Sequence, residues 1–194
     1  MSEFVIELPE KKTQIWDSYV PILKSKDNKK ITIYLTDYFG EASEYNEACH
    51  VLQTAPKGTT ITLIICNGGG NTAAAYYLID AMNQSEATIV GHCSGFVASA
   101  ATVVAMNCSN LTIADNTNFM CHNYSHNAGG SGAQVKEYVD YIDREFRRAT
   151  TEEYAGFLTD AEIALIVDHD KEVWLNAEDV RTRWAARQEL LGTE

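Results

Sequence analysis

Four stretches of this chain carry residue types that could perform acyl transfer. The first is Cys93-Ser94-Gly95-Phe96-Val97-Ala98-Ser99-Ala100-Ala101-Thr102, a small-residue turn opening into an apolar segment. Such a turn can present the Ser99 hydroxyl at a helix N-terminus with little bulk around it. Backbone N–H groups and the helix dipole favour an oxyanion there. The second is His122, 23 residues further on, at the end of the apolar triplet Phe119-Met120-Cys121. A histidine so placed could serve as the general base that a serine nucleophile requires. The third is Asp168-His169-Asp170-Lys171-Glu172-Val173-Trp174. Any of its carboxylates could orient the imidazole, and spacing alone selects none of them. The fourth is Asn67-Gly68-Gly69-Gly70, where the missing Cβ atoms let backbone approach a ligand closely. Neither a P-loop Lys-Ser/Thr nor G-x-G-x-x-G accompanies it, so an anion or oxyanion hole fits better than a phosphate cradle. Each stretch also has a plainer explanation. Small residues allow close helix packing, glycines make strand–helix turns, a lone histidine can sit at a sheet edge, and a charge run is usually a solvated face.

Periodicity indicates the elements that must position these residues. Ile31–Leu35, Thr59–Cys66 and Thr88–Val90 predict strands, with shorter ones at Leu111–Ala114 and Phe119–Cys121. Asn67–Gly70 is expected to break the second of them. Helices are predicted at Glu41–Thr54, Thr72–Met82 and Ser99–Met106. The longest runs from Ala133 to about Ala155, with Val135, Tyr138, Val139, Ile142 and Phe146 at i, i+3, i+4 spacing. Residues 1–28 read as an arm with a short helix near Trp16–Leu23, and Lys24–Lys30 as a basic turn. Strands alternating with helices argue for an α/β fold with a largely parallel sheet, without internal repeat or linker. Ligand sites in such sheets lie at the carboxyl ends of strands, where the glycine run and the Ser99 turn both fall.

Composition narrows the function classes. The chain has 194 residues, 45% hydrophobic and 22% charged, which suits one globular domain with a sizeable core. A net charge of −12 excludes nucleic acid and anionic membrane as expected partners. The five cysteines are scattered and form no CxxC pair, so buried thiols in a reduced compartment are expected rather than disulfides or zinc. His122 and His126 are four apart, but Gly129, Gly130 and Gly132 follow, which argues against a helical metal site. The N-terminus lacks a basic region followed by an apolar one, and no run reaches transmembrane length, so a soluble, intracellular protein is expected.

Taken together these residues resemble the Clp protease proteolytic subunit (ClpP) family, of the crotonase-like fold, from about Trp16 to Asp179. Ile65-Cys66-Asn67-Gly68-Gly69-Gly70, then Ala74 and Asp80-Ala81-Met82, is similar to I-N-S-P-G-G followed by Ala and D-x-M. Gly95-Phe96-Val97-Ala98-Ser99 resembles the G-x-A-A-S nucleophile turn, and Met120-Cys121-His122 the M-x-H that carries the base. Asp170-Lys171-Glu172-Val173-Trp174-Leu175-Asn176-Ala177-Glu178 resembles D-R-D-x-F-x-S-A-E. Trp16-Asp17-Ser18-Tyr19 with Ile22-Leu23-Lys24 resembles Y-D-x-Y-x-x-L-L-K. Gly129-Gly130 and the long helix after it resemble the handle that joins two rings.

The resemblance implies a self-compartmentalising serine endopeptidase acting on unfolded polypeptides. Ser99 would be the nucleophile, His122 the base and Glu172 the acid, with Gly70 and Ala100 N–H groups as the oxyanion hole. It implies stacked parallel strands with flanking helices, an arm over 1–28, one peptidase domain over 29–194 and a protruding handle at about 123–155. It further implies two stacked, heptameric rings in contact near Asp170 and Lys171, an AAA+ unfoldase partner, a cytoplasmic location and no metal or organic cofactor. Departures mark a diverged member, of the kind a virus could encode and use in its host's cytoplasm. The family acid is Asp where this chain has Glu172, with Asp170 as the fallback. Gly68 replaces a proline and Ala100 a methionine. Thr62-Leu63-Ile64-Ile65 lacks the tyrosines of the unfoldase-docking pocket, and Val180–Trp184 lacks the usual tail. Two alternatives follow: a catalytically silent ring subunit modulating a host peptidase, and a crotonase-type acyl-CoA enzyme sharing the backbone oxyanion hole.

Overall fold

The computed structural model describes residues 4–5 and 20–192. The chain divides into two compact units, Met1–Asn118 and Phe119–Glu194. In the first unit the elements are β1 (Phe4–Val5), β2 (Ile22–Ser25), β3 (Lys30–Phe39), α1 (Asn46–Thr54), β4 (Thr60–Gly70), α2 (Thr72–Asn83), β5 (Thr88–Ala98), α3 (Ala100–Met106) and β6 (Asn110–Ile113). A 3-10 turn, Ala42–Tyr45, leads into α1. The sheet runs β1-β2-β3-β4-β5, with β6 also on β5. The first two pairings are antiparallel, and β3/β4, β4/β5 and β5/β6 are parallel.

The β-branched run of β4 is not buried equally on its two faces. Ile61, Leu63 and Ile65 are fully buried, while Thr62, Ile64 and Cys66 are half-buried. On the buried face lie Ile33 and Leu35 of β3, with Leu52, Leu78 and Val104 of the three helices. Each such side chain stabilises the fold by about 1.5–3 kcal/mol. In α3 the buried residues are Ala100, Ala101, Thr102, Val104, Ala105 and Met106, mostly small ones that permit close packing.

Three expectations need correction. Asn67–Gly70 does not break β4: the ladder continues to Gly70 across a register shift, because glycine tolerates the left-handed backbone needed there. The short strand expected at Thr88–Val90 extends to Ala98. Ile22 and Leu23 lie in a strand instead of a helix, because their edge pairs with β3. Trp16–Tyr19, the rest of that expected helix, lie outside the described residues.

In the second unit, β7 (Asn118–Cys121) starts at the boundary and is followed by α4 (Gly132–Glu153), α5 (Asp160–His169), β8 (Val173–Asn176) and α6 (Ala177–Leu191). β7 and β8 are hydrogen-bonded neighbours. The core holds Phe119, Phe157, Leu158, Ile166, Val173, Leu175, Val180 and Trp184. The long helix falls within two residues of its expected bounds, Ala133 to about Ala155. Residues 123–131 are non-helical, and α4 begins at a Ser131–Gln134 capping box. Only Thr150 of α4 is buried, while Tyr138 and Tyr141 are 47% and 53% exposed. Tyr124 rests on Phe146 with ring centroids 4.5 Å apart, so the segment after His122 lies along this helix. Sequence periodicity did not reveal α5 or α6. Their start signals were nonetheless present, as the capping boxes Thr159/Glu162 and Asn176/Asp179. Among the described residues, no helix is long and apolar enough to cross a membrane.

Candidate active site

In the first unit, Ser99 stands between the end of β5 and the start of α3 with φ 55° and ψ −130°. A non-glycine residue in that region carries about 1–3 kcal/mol of backbone strain, of the sort that clusters at functional turns. Strained strand-to-helix turns of this sort present serine nucleophiles. The register leading into it is irregular. Ile65 of β4 pairs with Cys93 and Asn67 with Val97, so two steps on β4 face four on β5. The extra residues, with Gly95 at φ 63°, form a bulge that re-aims the chain before Ser99. The Ser99 carbonyl accepts from both the N–H and the Oγ1 of Thr102, at 2.9 and 2.7 Å, which ties the turn to α3.

The glycine run abuts this turn. A Cβ on Gly69 would fall 2.5 Å from Ser99 Cβ, 2.8 Å from Ala98 O and 3.1 Å from Ala100 N. A Cβ on Gly70, at φ 124°, would meet Phe39 O at 2.5 Å. Gly68 lies under the ring of Tyr38, which is 71% exposed and occupies the space a Cβ would take. Asn67 is 1% exposed. Its Oδ1 accepts the Gly69 N–H at 2.8 Å and its Nδ2 donates to Thr36 O at 3.3 Å. Asn71 then caps α2 through Oδ1. The structure thus brings together Ser99, Ala100 and the glycine backbone. Sequence reasoning missed Asn67 and Tyr38; an Asn two residues before a glycine is an Asx-turn signal that could have found the former.

In the second unit, half-buried His122 directly follows β7. The three candidate carboxylates have different surroundings. Asp168 pairs with Arg147 of α4 at 2.5 Å. Asp170 is the left-handed residue closing α5, and the Lys171 N–H after it donates to Leu165 O. Glu172 is exposed just before β8, and its Oε2 accepts from the Trp174 indole N–H at 2.9 Å, a partner that sequence reasoning missed. Burial, then Asp143, Tyr138 and Asp170, raises the Tyr124 hydroxyl above its ordinary range.

The thiols mostly follow expectation. None of the five is in a disulfide and four are buried, but Cys66 is half-buried on the open face of β4. Burial pushes Cys49 up to about 11 and Cys108 up to about 12, which keeps them protonated. Among the described residues, no three His, Cys, Asp or Glu side chains are grouped to hold a metal ion.

No curated protein matches the chain significantly. The family model for Clp protease matches residues 12–183, a span that takes in the glycine run, the Ser99 turn, His122 and Glu172. With that span covering most of its length, the chain belongs to the Clp protease family.

Proposed function

We propose that this peptidase-family chain is a serine endopeptidase that cleaves unfolded polypeptides inside a closed particle. Ser99 attacks the peptide carbonyl. His122 takes its proton and returns it to the leaving amine, and Glu172 orients the imidazole and stabilises its charged form. The N–H groups of Gly70 and Ala100 receive the oxyanion. The observation that carries this reading is the strained Ser99 backbone with the glycine run against its Cβ. No metal or organic cofactor enters these steps. Exposed Tyr138 and Tyr141 on α4 support a handle that buries them against another copy, in two stacked rings of seven that touch near Asp170 and Lys171. One peptidase domain, 29–194, receives substrate from an AAA+ unfoldase in the cytoplasm. Fluorophosphonate labelling followed by mapping of the adduct tests the chemistry: modification at Ser99 is expected, and its absence from an intact particle overturns the assignment.

One observation favours a second reading, a silent subunit that modulates an active homologue. The Glu172 carboxylate is exposed and bonded to Trp174. Failure to label Ser99, together with co-assembly with an active homologue, selects that reading.

A further inference from the structure

We infer that Asn67 is a positioning residue for the oxyanion hole, acting through the Gly69 amide. This rests on the proposal that Ser99 is the nucleophile and Gly70 an oxyanion donor. Three consecutive glycines are the least ordered backbone available, and Gly69 and Gly70 sit at φ 91° and 124°, where nothing in their own side chains restrains them. An oxyanion hole is effective only when its donors are already fixed before the charge develops. The β3 ladder pairs Asn67 and Gly70 but neither Gly68 nor Gly69, so the middle of the run needs another restraint.

Asn67 has the geometry to do so. Its side chain is almost completely buried, and both ends of its carboxamide are used. Nδ2 anchors on Thr36 O of the neighbouring strand, and Oδ1 accepts the Gly69 N–H at 2.8 Å. The bond fixes the plane of the peptide between Gly68 and Gly69, next to the point where Gly69 meets the Ser99 turn. It also decides which amide can serve catalysis. The Gly69 N–H is committed to a buried acceptor, so the oxyanion donor from this run falls to the next amide, Gly70. The side chain thus links β3, the glycine run and, through Gly69, the nucleophile turn.

The experiment measures second-order labelling of Ser99 by a fluorophosphonate, and kcat and KM on a peptide substrate, in the assembled full-length protein. Asn67→Ala and Asn67→Leu both remove the acceptor, one leaving space and one filling it, so whichever folds carries the test. Labelling rate and kcat are expected to fall about 10- to 100-fold, with KM changed less than about threefold, as for a misplacement of roughly 1 Å. Asn67→Ser restores a side-chain acceptor two residues before Gly69 and is expected to recover most of the rate. Wild-type rates in both acceptor-less variants, or equal losses in Asn67→Ser and Asn67→Ala, overturn the inference while leaving Ser99 as nucleophile. Absence of labelling at Ser99 in the wild type overturns the nucleophile assignment and this inference with it.

Discussion

The Cβ that a side chain at Gly69 would carry falls 2.5 Å from Cβ of Ser99, closer than two such atoms approach in folded proteins. Its next neighbours are the backbone atoms Ala98 O and Ala100 N, which cannot swing aside, and its own φ is 91°. Gly69→Ala must therefore push the Ser99 turn out of place. It is expected to cost about 1–3 kcal/mol of stability, from left-handed strain and overpacking, and at least 100-fold in activity. Gly68→Ala is the control. The three described atoms nearest its Cβ all belong to the ring of Tyr38, which is exposed and can rotate into solvent. Melting curves and peptide hydrolysis on the two variants should differ sharply; equal, mild effects would show that the Gly69 contact is unimportant.

Ser99 can be separated into a chemical and a conformational part. Ser99→Ala keeps the strained φ of 55° and removes only the hydroxyl. By the subtilisin precedent, loss of a nucleophile costs on the order of 10⁴–10⁶ in kcat, with stability nearly unchanged. Ser99→Gly removes the hydroxyl and relaxes the backbone, so it should be inactive and more stable than Ser99→Ala by about 1 kcal/mol. Thermal midpoints of the two inactive variants decide this.

The acid of the proposed triad is tested by paired amides. Glu172→Gln keeps the shape and removes the charge, and it should lower kcat by less than the roughly 10⁴-fold seen for Asp→Asn in the trypsin template. A Glu already bonded to Trp174 offers a looser hold on the imidazole. Asp170→Asn should leave kcat of the assembled particle nearly unchanged. The reverse result, a dead Asp170→Asn beside a normal Glu172→Gln, moves the acid to Asp170.

Acid stability of the second unit should depend on Glu162. Arg183 grips this carboxylate through both terminal guanidinium nitrogens, at 2.7 and 2.9 Å, and Thr159 adds its N–H and hydroxyl. The Arg183 bonds, as the leading cause, lower its pKa from 4.5 to about 2. A depressed carboxylate contributes its full stability above the unfolded value of about 4.5 and loses it as pH falls through about 2. The pair is partly solvated, so its contribution is about 1 kcal/mol after screening. Glu162→Gln should melt about 2–4 °C lower near neutral pH. The gap should close as the pH approaches 2, which melting curves across that range will show.

The exposed rings on α4 predict the assembly. Tyr141→Glu is expected to leave the fold of its own unit intact, because that ring is half in solvent, with the Arg144 guanidinium 5.5 Å from its centroid. A charge there should divide the particle between rings and reduce peptidase activity. Light scattering reads the outcome. A monomeric wild type with full activity would rule out the closed-particle proposal.

Local pattern alone makes much of this protein legible. Thr60–Cys66, Thr72–Met82 and the helix over 133–153 follow from β-branched runs and 3.6-residue periodicity, because burial of one face imposes the pattern directly on the sequence. The Ser99 turn and the glycine run could be singled out because small residues are needed wherever backbone approaches backbone. Other features required the third dimension. The sequence reading ended one strand at Val90 and another before Asn67–Gly70, yet the strands run on to Ala98 and Gly70, because bulges between paired strands absorb the extra residues and the positive φ angles. Which carboxylate each cation or donor takes was also a tertiary matter. Asp168 goes to Arg147 and Glu162 to Arg183, each 21 residues away, distances over which sequence spacing carries no information. Asn67 shows the division best. The sequence marks it as a turn former, but only the fold places Thr36 O on one side of its carboxamide and the Gly69 N–H on the other.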